Sequence, residues 1–315
     1  MKSSKFFINI KEHPLLYAMV LPGVTVLFLF YFIPVAGNVI AWMDYNYVLG
    51  FGSASPWVGW KHFKTMFEYS EFLRILRNTI IIGLLQIGLG FPIPLILALF
   101  LNEIKSKFFK RFSQTIVFIP FFLSWVIVAR LVYSLLNQDS GIINIMIKFL
   151  GGETVPFMFK SALFPFIVVF AGTWKSAGFA CIVYLAALST INPNLYEAAE
   201  IDGANRWQQT LHITIPSLIP PALVMLLLNI GNFLNTGYNQ IETLYNPVVR
   251  NTGEIIVNYI FNIGLNKGRF SFATAVGIFQ AIVGLVLVLG GHFLSLNLTG
   301  KGLFYVPKTN KINKK

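Results

Sequence analysis

Six long apolar segments constrain the fold of this chain more than any other feature of the sequence. A helix needs about 20 mostly apolar residues to cross the hydrocarbon core of a bilayer, and it also satisfies its own backbone hydrogen bonds there. The segments that meet this requirement are Leu15–Ile40, Phe72–Leu101, Phe112–Leu136, Ser161–Ser189, Ile213–Tyr238 and Ser271–Leu296. The sequence therefore predicts an all-α integral membrane protein with six transmembrane helices.

The composition agrees with a membrane protein and excludes two other kinds of chain. Hydrophobic residues make up 56% of the sequence and charged residues 11%, whereas a soluble domain has about 25% charged residues. Cys181 is the single cysteine, so an internal disulfide is impossible, and the four histidines lack the spacing of metal ligands. We therefore expect neither a disulfide-stabilised scaffold nor a metal site.

The positions of the basic residues predict the orientation in the membrane. Lysine and arginine are concentrated before the first segment, in the connection 102–111 and after the last segment, and short loops rich in these residues stay in the cytoplasm. We expect a cytoplasmic N-terminal segment at 1–14, a membrane domain at 15–300 and a basic cytoplasmic tail at 301–315. Membrane insertion and lipid contact then explain the net charge of +12 better than nucleic-acid binding does.

The connection between the fourth and fifth segments, 190–212, is acidic where the other predicted inner segments are basic. It carries Glu197 and Asp202, and membrane insertion alone does not favour such charges. An Asn-Pro start and Gly203 predict a short helix that ends or bends at the glycine, followed by a second short helix at 207–212. The two helices would lie across the inner face, either as a solvated connector or as a surface that binds a partner.

The spacing within this loop carries a motif. After Glu197-Ala198-Ala199 come three residues and Gly203, then nine residues and Ile213-Thr214-Ile215-Pro216. This pattern resembles the signature of the permease subunits of binding-protein-dependent ABC importers, in which Ile215 would be a leucine. In that family the segment is the coupling helix, which docks into a cleft of the ATPase subunit. The resemblance implies that the ATPase-coupling residues are Glu197, Ala198, Ala199, Asp202, Gly203, Ile213 and Pro216.

The resemblance covers nearly the whole chain and extends to the maltose-type branch that imports complex oligosaccharides and polysaccharide fragments. The segments that carry it are Tyr31-Phe-Ile-Pro-Val-Ala-Gly37, Ser55-Pro-Trp-Val-Gly59, Leu101-Asn-Glu103, Ser124-Trp125-Val126, Trp174-Lys175, Leu244-Tyr-Asn-Pro247 and Ala273-Thr-Ala-Val-Gly277. It implies the type I ABC importer permease fold, with a coupling helix between helices 4 and 5, in a bacterial cytoplasmic membrane. Members of this branch import neutral sugars and acidic ones such as alginate or pectin fragments, so both remain open.

The partners also follow from the resemblance. The chain has no phosphate-binding loop, because Thr299-Gly-Lys-Gly302 lacks the first glycine at its spacing and a hydroxyl after the lysine. We therefore expect a non-catalytic subunit with no cofactor of its own, whose partner ATPase dimer binds ATP and Mg. Family members also pair with a second homologous permease, commonly a different chain, and with an extracellular or periplasmic sugar-binding protein.

Two charged residues within the apolar segments are candidates for the substrate pathway. Arg130 lies in the third segment with Tyr133 at helical spacing, and Lys175 lies in the fourth beside Trp174. A charge at the bilayer centre costs about 2.5–3.5 kcal/mol on insertion scales, so such residues usually face a cavity or a polar partner. A backbone carbonyl could satisfy either charge, and for Lys175 a structural or gating role is the favoured alternative.

The fifth segment carries a polar stripe. Its members, which follow helical spacing and so predict one face over several turns, are Asn229, Asn232, Phe233, Thr236 and Gln240. A sugar binds through amide and hydroxyl partners and through aromatic faces. We assign the stripe to the substrate pathway, with hydrogen bonds between helices as the alternative.

Two other functions fit the sequence less well. An ion-coupled secondary transporter usually has buried carboxylates, but the twelve acidic residues here lie in loops or at the ends of segments. A membrane-embedded glycosyltransferase needs a catalytic set, whereas Glu197, Glu200 and Asp202 share one short predicted helix. The sequence therefore favours an ATP-driven importer that works by alternating access.

Overall fold

The structure is a computed structural model, and it describes residues 14–231, 233–234 and 237–299. These residues form two compact units, 14–68 with 260–278 and 69–259 with 279–299. The helices of at least six residues, in chain order, are α1 (Pro14–Trp42), α2 (Lys61–Glu68), α3 (Ser70–Gly90), α4 (Pro92–Glu103), α5 (Lys107–Phe122), α6 (Trp125–Leu135), α7 (Ile142–Phe149), α8 (Phe164–Leu188), α9 (Pro193–Ile201), α10 (Arg206–Gly231), α11 (Tyr238–Leu244), α12 (Ile256–Phe261) and α13 (Phe270–Thr299). The predicted all-α fold is confirmed.

Among the residues that the structure describes, five helical stretches are long and apolar enough to cross a membrane. They are α1, α3 together with α4, α8, α10 and the part of α13 up to Phe293. They correspond to the first, second, fourth, fifth and sixth predicted segments. The chain is therefore a multi-pass membrane protein, and the remaining predicted segment, the third, has a different geometry.

The third predicted span, Phe112–Leu136, is wrong as a single straight helix. It is divided into α5 and α6, which are bent by 105° at two extended residues, Leu123 and Ser124. Pro120 cannot donate a backbone hydrogen bond inside α5, and the Ser124 hydroxyl caps α6 by accepting a hydrogen bond from the Ile127 N–H at 3.4 Å. Both local features favour the break, so this span is a bent pair of helices.

The fifth predicted span, Ile213–Tyr238, is too long at its C-terminal end, because α10 stops at Gly231. In the turn that follows, the backbone oxygen of Leu234 accepts a hydrogen bond from Gln280 Nε2 at 2.7 Å. Gly237 has a φ of +98°, a left-handed conformation that interrupts a helix and that glycine adopts without steric cost. The chain then continues as α11, a separate short helix.

α8 is the central helix of the second unit and packs against α3, α4, α5 and α10. Its buried side chains contribute to two apolar clusters. The contact with α5 requires a glycine, because a Cβ at Gly178 would lie 2.2 Å from the backbone oxygen of Val117. Small residues of this kind let transmembrane helices approach closely and gain packing energy.

Ion pairs attach the segment before α12 to the start of α3. Arg74 Nη2 lies 2.8 Å from Glu254 Oε2, and Arg250 pairs with both Glu254 and Glu71. Asn78 Nδ2 donates to the backbone oxygen of Glu254 at 3.2 Å. Glu254 is buried, so its two arginine partners offset the cost of removing its carboxylate from water. Sequence reasoning missed this cluster, whose members on the two elements are far apart in the chain.

Candidate functional site

α9 is the predicted coupling helix, and its local sequence explains where it begins and ends. Asn192 caps it by accepting a hydrogen bond from the Asn194 N–H at 3.1 Å, and Pro193 occupies the first helical position. Gly203 follows with a φ of +81°, a conformation that ends a helix and turns the chain. The predicted helix and its glycine bend are confirmed.

The second predicted short helix, 207–212, is not a separate element. Asn205 and Gln208 form a reciprocal capping box, and α10 starts there. It continues through a π-helical turn at Thr210–Thr214 into the spanning part of the helix. The segment therefore consists of one separate helix, α9. A tight turn at Gly203 joins it to the first turns of α10, which continues as the fifth span.

Two side-chain contacts hold this segment in place. Tyr196 Oη lies 2.9 Å from Thr214 Oγ1, which ties α9 to α10. Arg206 Nη1 lies 3.1 Å from Glu103 Oε2, which joins the start of α10 to the end of α4. The second contact is an exposed ion pair and contributes only about 0–1 kcal/mol. The Tyr196 contact is partly buried, and it is the one of the two that joins α9 itself to a transmembrane helix.

The predicted coupling residues lie on two elements. Those on α9 or directly after it are Glu197, Ala198, Ala199, Asp202 and Gly203, and those on α10 are Ile213 and Pro216. No residue of α9 is buried, and the apolar side chains of Leu195, Ile201 and Trp207 are 50%, 86% and 69% exposed. Exposed apolar side chains rimmed by polar groups mark surfaces that bind another protein. The segment thus has the exposed apolar side chains that its predicted role as a docking surface requires.

Arg130 lies on α6, where it is exposed. Its neighbours Val128 and Ala129 are buried, so the arginine projects from the side of α6 that faces away from the core. Within the residues that the structure describes, its guanidinium has neither a hydrogen bond nor an ion pair. The side chain is therefore free to bind an anionic group.

The two residues predicted beside Arg130 in the pathway already have partners in the chain. Tyr133 Oη donates a hydrogen bond to the backbone oxygen of Leu244 at 3.0 Å and so joins α6 to α11. Lys175 Nζ donates to the backbone oxygen of Phe121 at 2.7 Å. For both side chains the structure shows contacts within the protein, and their part in the substrate pathway stays a prediction.

The polar stripe predicted on the fifth span does not form one helix face, because α10 ends at Gly231. Asn229 is exposed on the last turn of α10, and its Nδ2 donates to the backbone oxygen of Met225 at 2.9 Å. Asn232 and Thr236 fall outside the described residues. The predicted polar face, which assumed one continuous helix through these residues, is therefore wrong beyond Gly231.

The other two members of the stripe are held by packing between helices. Phe233 lies in the turn after α10, and its ring packs on Gly83 of α3, where an added Cβ would come within 2.6 Å of it. Gln240 is buried on α11 and its Nε2 donates to the backbone oxygen of Val168 on α8. For Gln240 this is the interhelical role that was the alternative to sugar binding.

Metal binding has no support in the described ranges. No group of three or more histidine, cysteine, aspartate or glutamate side chains there could hold a metal ion. The acidic residues near the coupling segment are spread over one exposed helix, as the sequence indicated.

A family model and curated relatives match the chain. The model described as "Binding-protein-dependent transport system inner membrane component" matches residues 90–298. The polygalacturonan/rhamnogalacturonan transport system permease protein YteP of Bacillus subtilis (strain 168) is 40% identical over 96% of this chain and 94% of its own length. Protein LplB of the same organism is 37% identical over 96% of this chain and 95% of its own length.

Solved structures also share the fold. A chain of a bacterial ABC transporter involved in the import of the acidic polysaccharide alginate aligns with a TM-score of 0.87 and 39% identity, over 94% of this chain and 99% of that chain. A chain of the bacterial alginate ABC transporter in complex with an alginate pentasaccharide-bound periplasmic protein aligns with the same values. Proteins of the matched family are membrane subunits of transporters and not enzymes. The motif at Glu197–Pro216, the six apolar segments and these matches agree, and the chain belongs to the family of binding-protein-dependent transport system inner membrane components, the permeases of ABC importers.

Proposed function

We propose that this chain imports oligosaccharides that carry carboxylate groups, as one permease of an importer driven by a separate ATPase. Two similar proteins support an acidic sugar, because YteP is named for polygalacturonan/rhamnogalacturonan and the transporter of known structure imports alginate. The observation in this chain that carries the proposal is Arg130, exposed on α6 with no partner among the described residues. A guanidinium can bind a sugar carboxylate through two parallel hydrogen bonds.

Replacing Arg130 should lower the uptake of acidic sugars and leave the uptake of neutral sugars unchanged. A hydrogen bond to a charged group contributes about 1.5–3 kcal/mol, so we expect Arg130→Gln to lower uptake of a subsaturating oligogalacturonide about 10–100-fold. Uptake of a neutral oligosaccharide of the same length should stay unchanged. Uptake is measured in proteoliposomes that contain the partner permease, the ATPase and the sugar-binding protein.

The matched control is Arg111→Gln, because Arg111 is also an exposed arginine but lies at the start of α5. We expect this variant to transport both sugars normally. Equal uptake of the acidic sugar by Arg130→Gln and the unchanged chain would contradict the acidic substrate and favour a neutral oligosaccharide.

The ATPase contact of the proposed importer is α9 with the turn after it. Its support is the exposed surface of Leu195 and Ile201 beside the carboxylates of Glu197 and Asp202. In this mechanism the partner ATPase binds ATP and Mg, its closure moves α9, and α10 moves with α9 because Tyr196 joins them. The substrate pathway between the two permeases then opens alternately to the two sides of the membrane.

The link at Tyr196 can be tested without disturbing the docking surface. We expect Tyr196→Phe, which removes one neutral hydrogen bond worth about 1 kcal/mol, to lower ATP hydrolysis stimulated by loaded binding protein about fivefold. Tyr31→Phe, on the exposed helix α1, serves as the control and should have no effect. Full stimulation in Tyr196→Phe would show that the tyrosine does not transmit the movement.

The remaining partners fit the same proposal. The most apolar part of α1 contains no residue that is buried by the part of the chain the structure describes, so its surface is available to lipid or to a second permease. The predicted outer loops would receive the sugar-binding protein, and the lysine-rich connection 102–111 would lie in the cytoplasm with both termini. The setting is a bacterial cytoplasmic membrane.

A further inference from the structure

Lys175 sits at the break between α5 and α6. Its Nζ donates to the backbone oxygen of Phe121 at 2.7 Å, and that oxygen is one of the last four in α5, which have no partner within the helix. The same ammonium lies 5.4 Å from the centre of the Phe121 ring and 5.7 Å from that of Trp125. Lys175 therefore contacts the end of one half of the span and the first residue of the other.

The turn of α8 that follows Lys175 packs closely against α5. The Phe179 ring stacks on the Phe121 ring with centroids 4.6 Å apart and planes 12° apart. Gly178 lets the α5 backbone approach so closely that a Cβ there would meet Val117. These contacts hold the end of α5 against α8. The Phe121 backbone oxygen therefore stays within reach of the Lys175 ammonium.

Lys175 also lies on a continuous path to the coupling segment. α8 runs without a break from Lys175 to Leu188, a length of about 20 Å at 1.5 Å per residue, and α9 begins only a few residues later at Pro193. On the other side of the break, Arg130 lies on the second turn of α6. One side chain thus connects the helix that leads to α9 with the half-span that carries the candidate sugar ligand.

We propose that Lys175 is a positioning residue, which sets the angle between α5 and α6 and so the place of Arg130 when the coupling segment moves. The lysine does not bind the sugar in this mechanism, since its donors are directed to a backbone oxygen and to aromatic rings. The importance of Arg130 rests on the proposed function, whereas the effect of Lys175 on the bend does not.

The bend can be measured directly with two spin labels. Cys181 is fully buried and is replaced by serine, and labels are attached at Phe108→Cys on α5 and Leu135→Cys on α6, both exposed positions. In the complex reconstituted with its partner permease and ATPase in nanodiscs, double electron–electron resonance should give one narrow distance distribution. We expect Lys175→Met to broaden this distribution or shift it by several ångströms.

Two further variants make the result specific. Lys175→Arg keeps a charged donor and should retain the narrow distribution, and Lys148→Met removes an exposed lysine from α7 and should change nothing. If Lys175→Met does not assemble, Lys175→Leu also removes the donor and gives the same comparison. An unchanged distribution in the variant that lacks the ammonium would overturn the proposal, because the bend would then form without it.

The functional readout separates this proposal from that of an acidic substrate. We expect Lys175→Met to lower the number of sugar molecules transported per ATP hydrolysed at least fivefold, with Lys175→Arg restoring most of it. If the spin labels respond to Lys175→Met but Arg130→Gln does not discriminate between sugars, the acidic substrate is wrong and the positioning role stands. If the labels do not respond, the positioning role is wrong whatever the substrate is.

Discussion

Gly203→Pro should abolish the stimulation of ATP hydrolysis by sugar-loaded binding protein while leaving the chain in the membrane. Gly203 has a φ of +81°, whereas the proline ring fixes φ near −65°, so the turn between α9 and α10 must adopt another path. An added Cβ would meet no atom within 4 Å, so the effect comes from backbone conformation and not from a clash. We expect stimulation to fall more than tenfold, to the level without sugar.

A matched glycine makes this result specific. Gly151 has nearly the same conformation, with a φ of +82°, and equally open surroundings, but it lies between α7 and α8. Gly151→Pro should therefore carry the same local strain and retain stimulated hydrolysis, and binding of the loaded sugar-binding protein is measured for both variants because Gly151 lies in a predicted outer loop. Membrane insertion and assembly of both variants are checked by purification of the whole complex. Normal stimulation in an assembled Gly203→Pro complex would exclude α9 as the coupling helix.

Gly178→Ala should destabilise the membrane domain, although alanine is normally the better residue in a helix. Replacing glycine by alanine in a helix gains about 0.5–1 kcal/mol in an unhindered place. At Gly178 the new Cβ would lie 2.2 Å from the Val117 backbone oxygen, and α5 would have to move away from α8. Overpacking of this kind costs about 1–3 kcal/mol, which should lower the midpoint of thermal unfolding in detergent by several degrees.

The control for this substitution is Gly284→Ala. Gly284 lies within α13 and has no atom within 4 Å of its would-be Cβ. Its replacement should leave the midpoint unchanged or raise it slightly, so the two variants are expected to differ in sign. Equal midpoints for both would show that α5 and α8 are not as closely packed as the structure has them.

The sequence predicted the helices wherever a local signal is strong. Continuous apolar length identified α8, and the Asn-Pro start with Gly203 predicted both ends of α9, because capping and left-handed glycines act within a few residues. The motif from Glu197 to Pro216 then identified the family. These features depend on neighbours in the chain, which a sequence shows directly.

The failures have a different physical origin. At Ser124 the helix can either continue or end with the serine hydroxyl capping a new helix. The length of the apolar segment is the same in both cases, so it does not predict the break. In the turn after α10, the backbone oxygen of Leu234 accepts a hydrogen bond from Gln280, which lies far along the chain on α13. The partner of Lys175, the backbone oxygen of Phe121, lies on another span. Such contacts require the three-dimensional packing.

The ion pairs between α3 and the segment before α12 have a consequence for how the chain is made. Arg74 and Glu254 are separated by 180 positions, and a ribosome adds about 5–20 residues per second, so roughly 9–36 seconds pass between their synthesis. Throughout that interval α3 has two arginines, Arg74 and Arg77, at the end predicted to face outward, against the usual charge bias. On the predicted orientation, the lysines of the connection 102–111 supply the cytoplasmic charge at the other end of this span while Glu254 is not yet made.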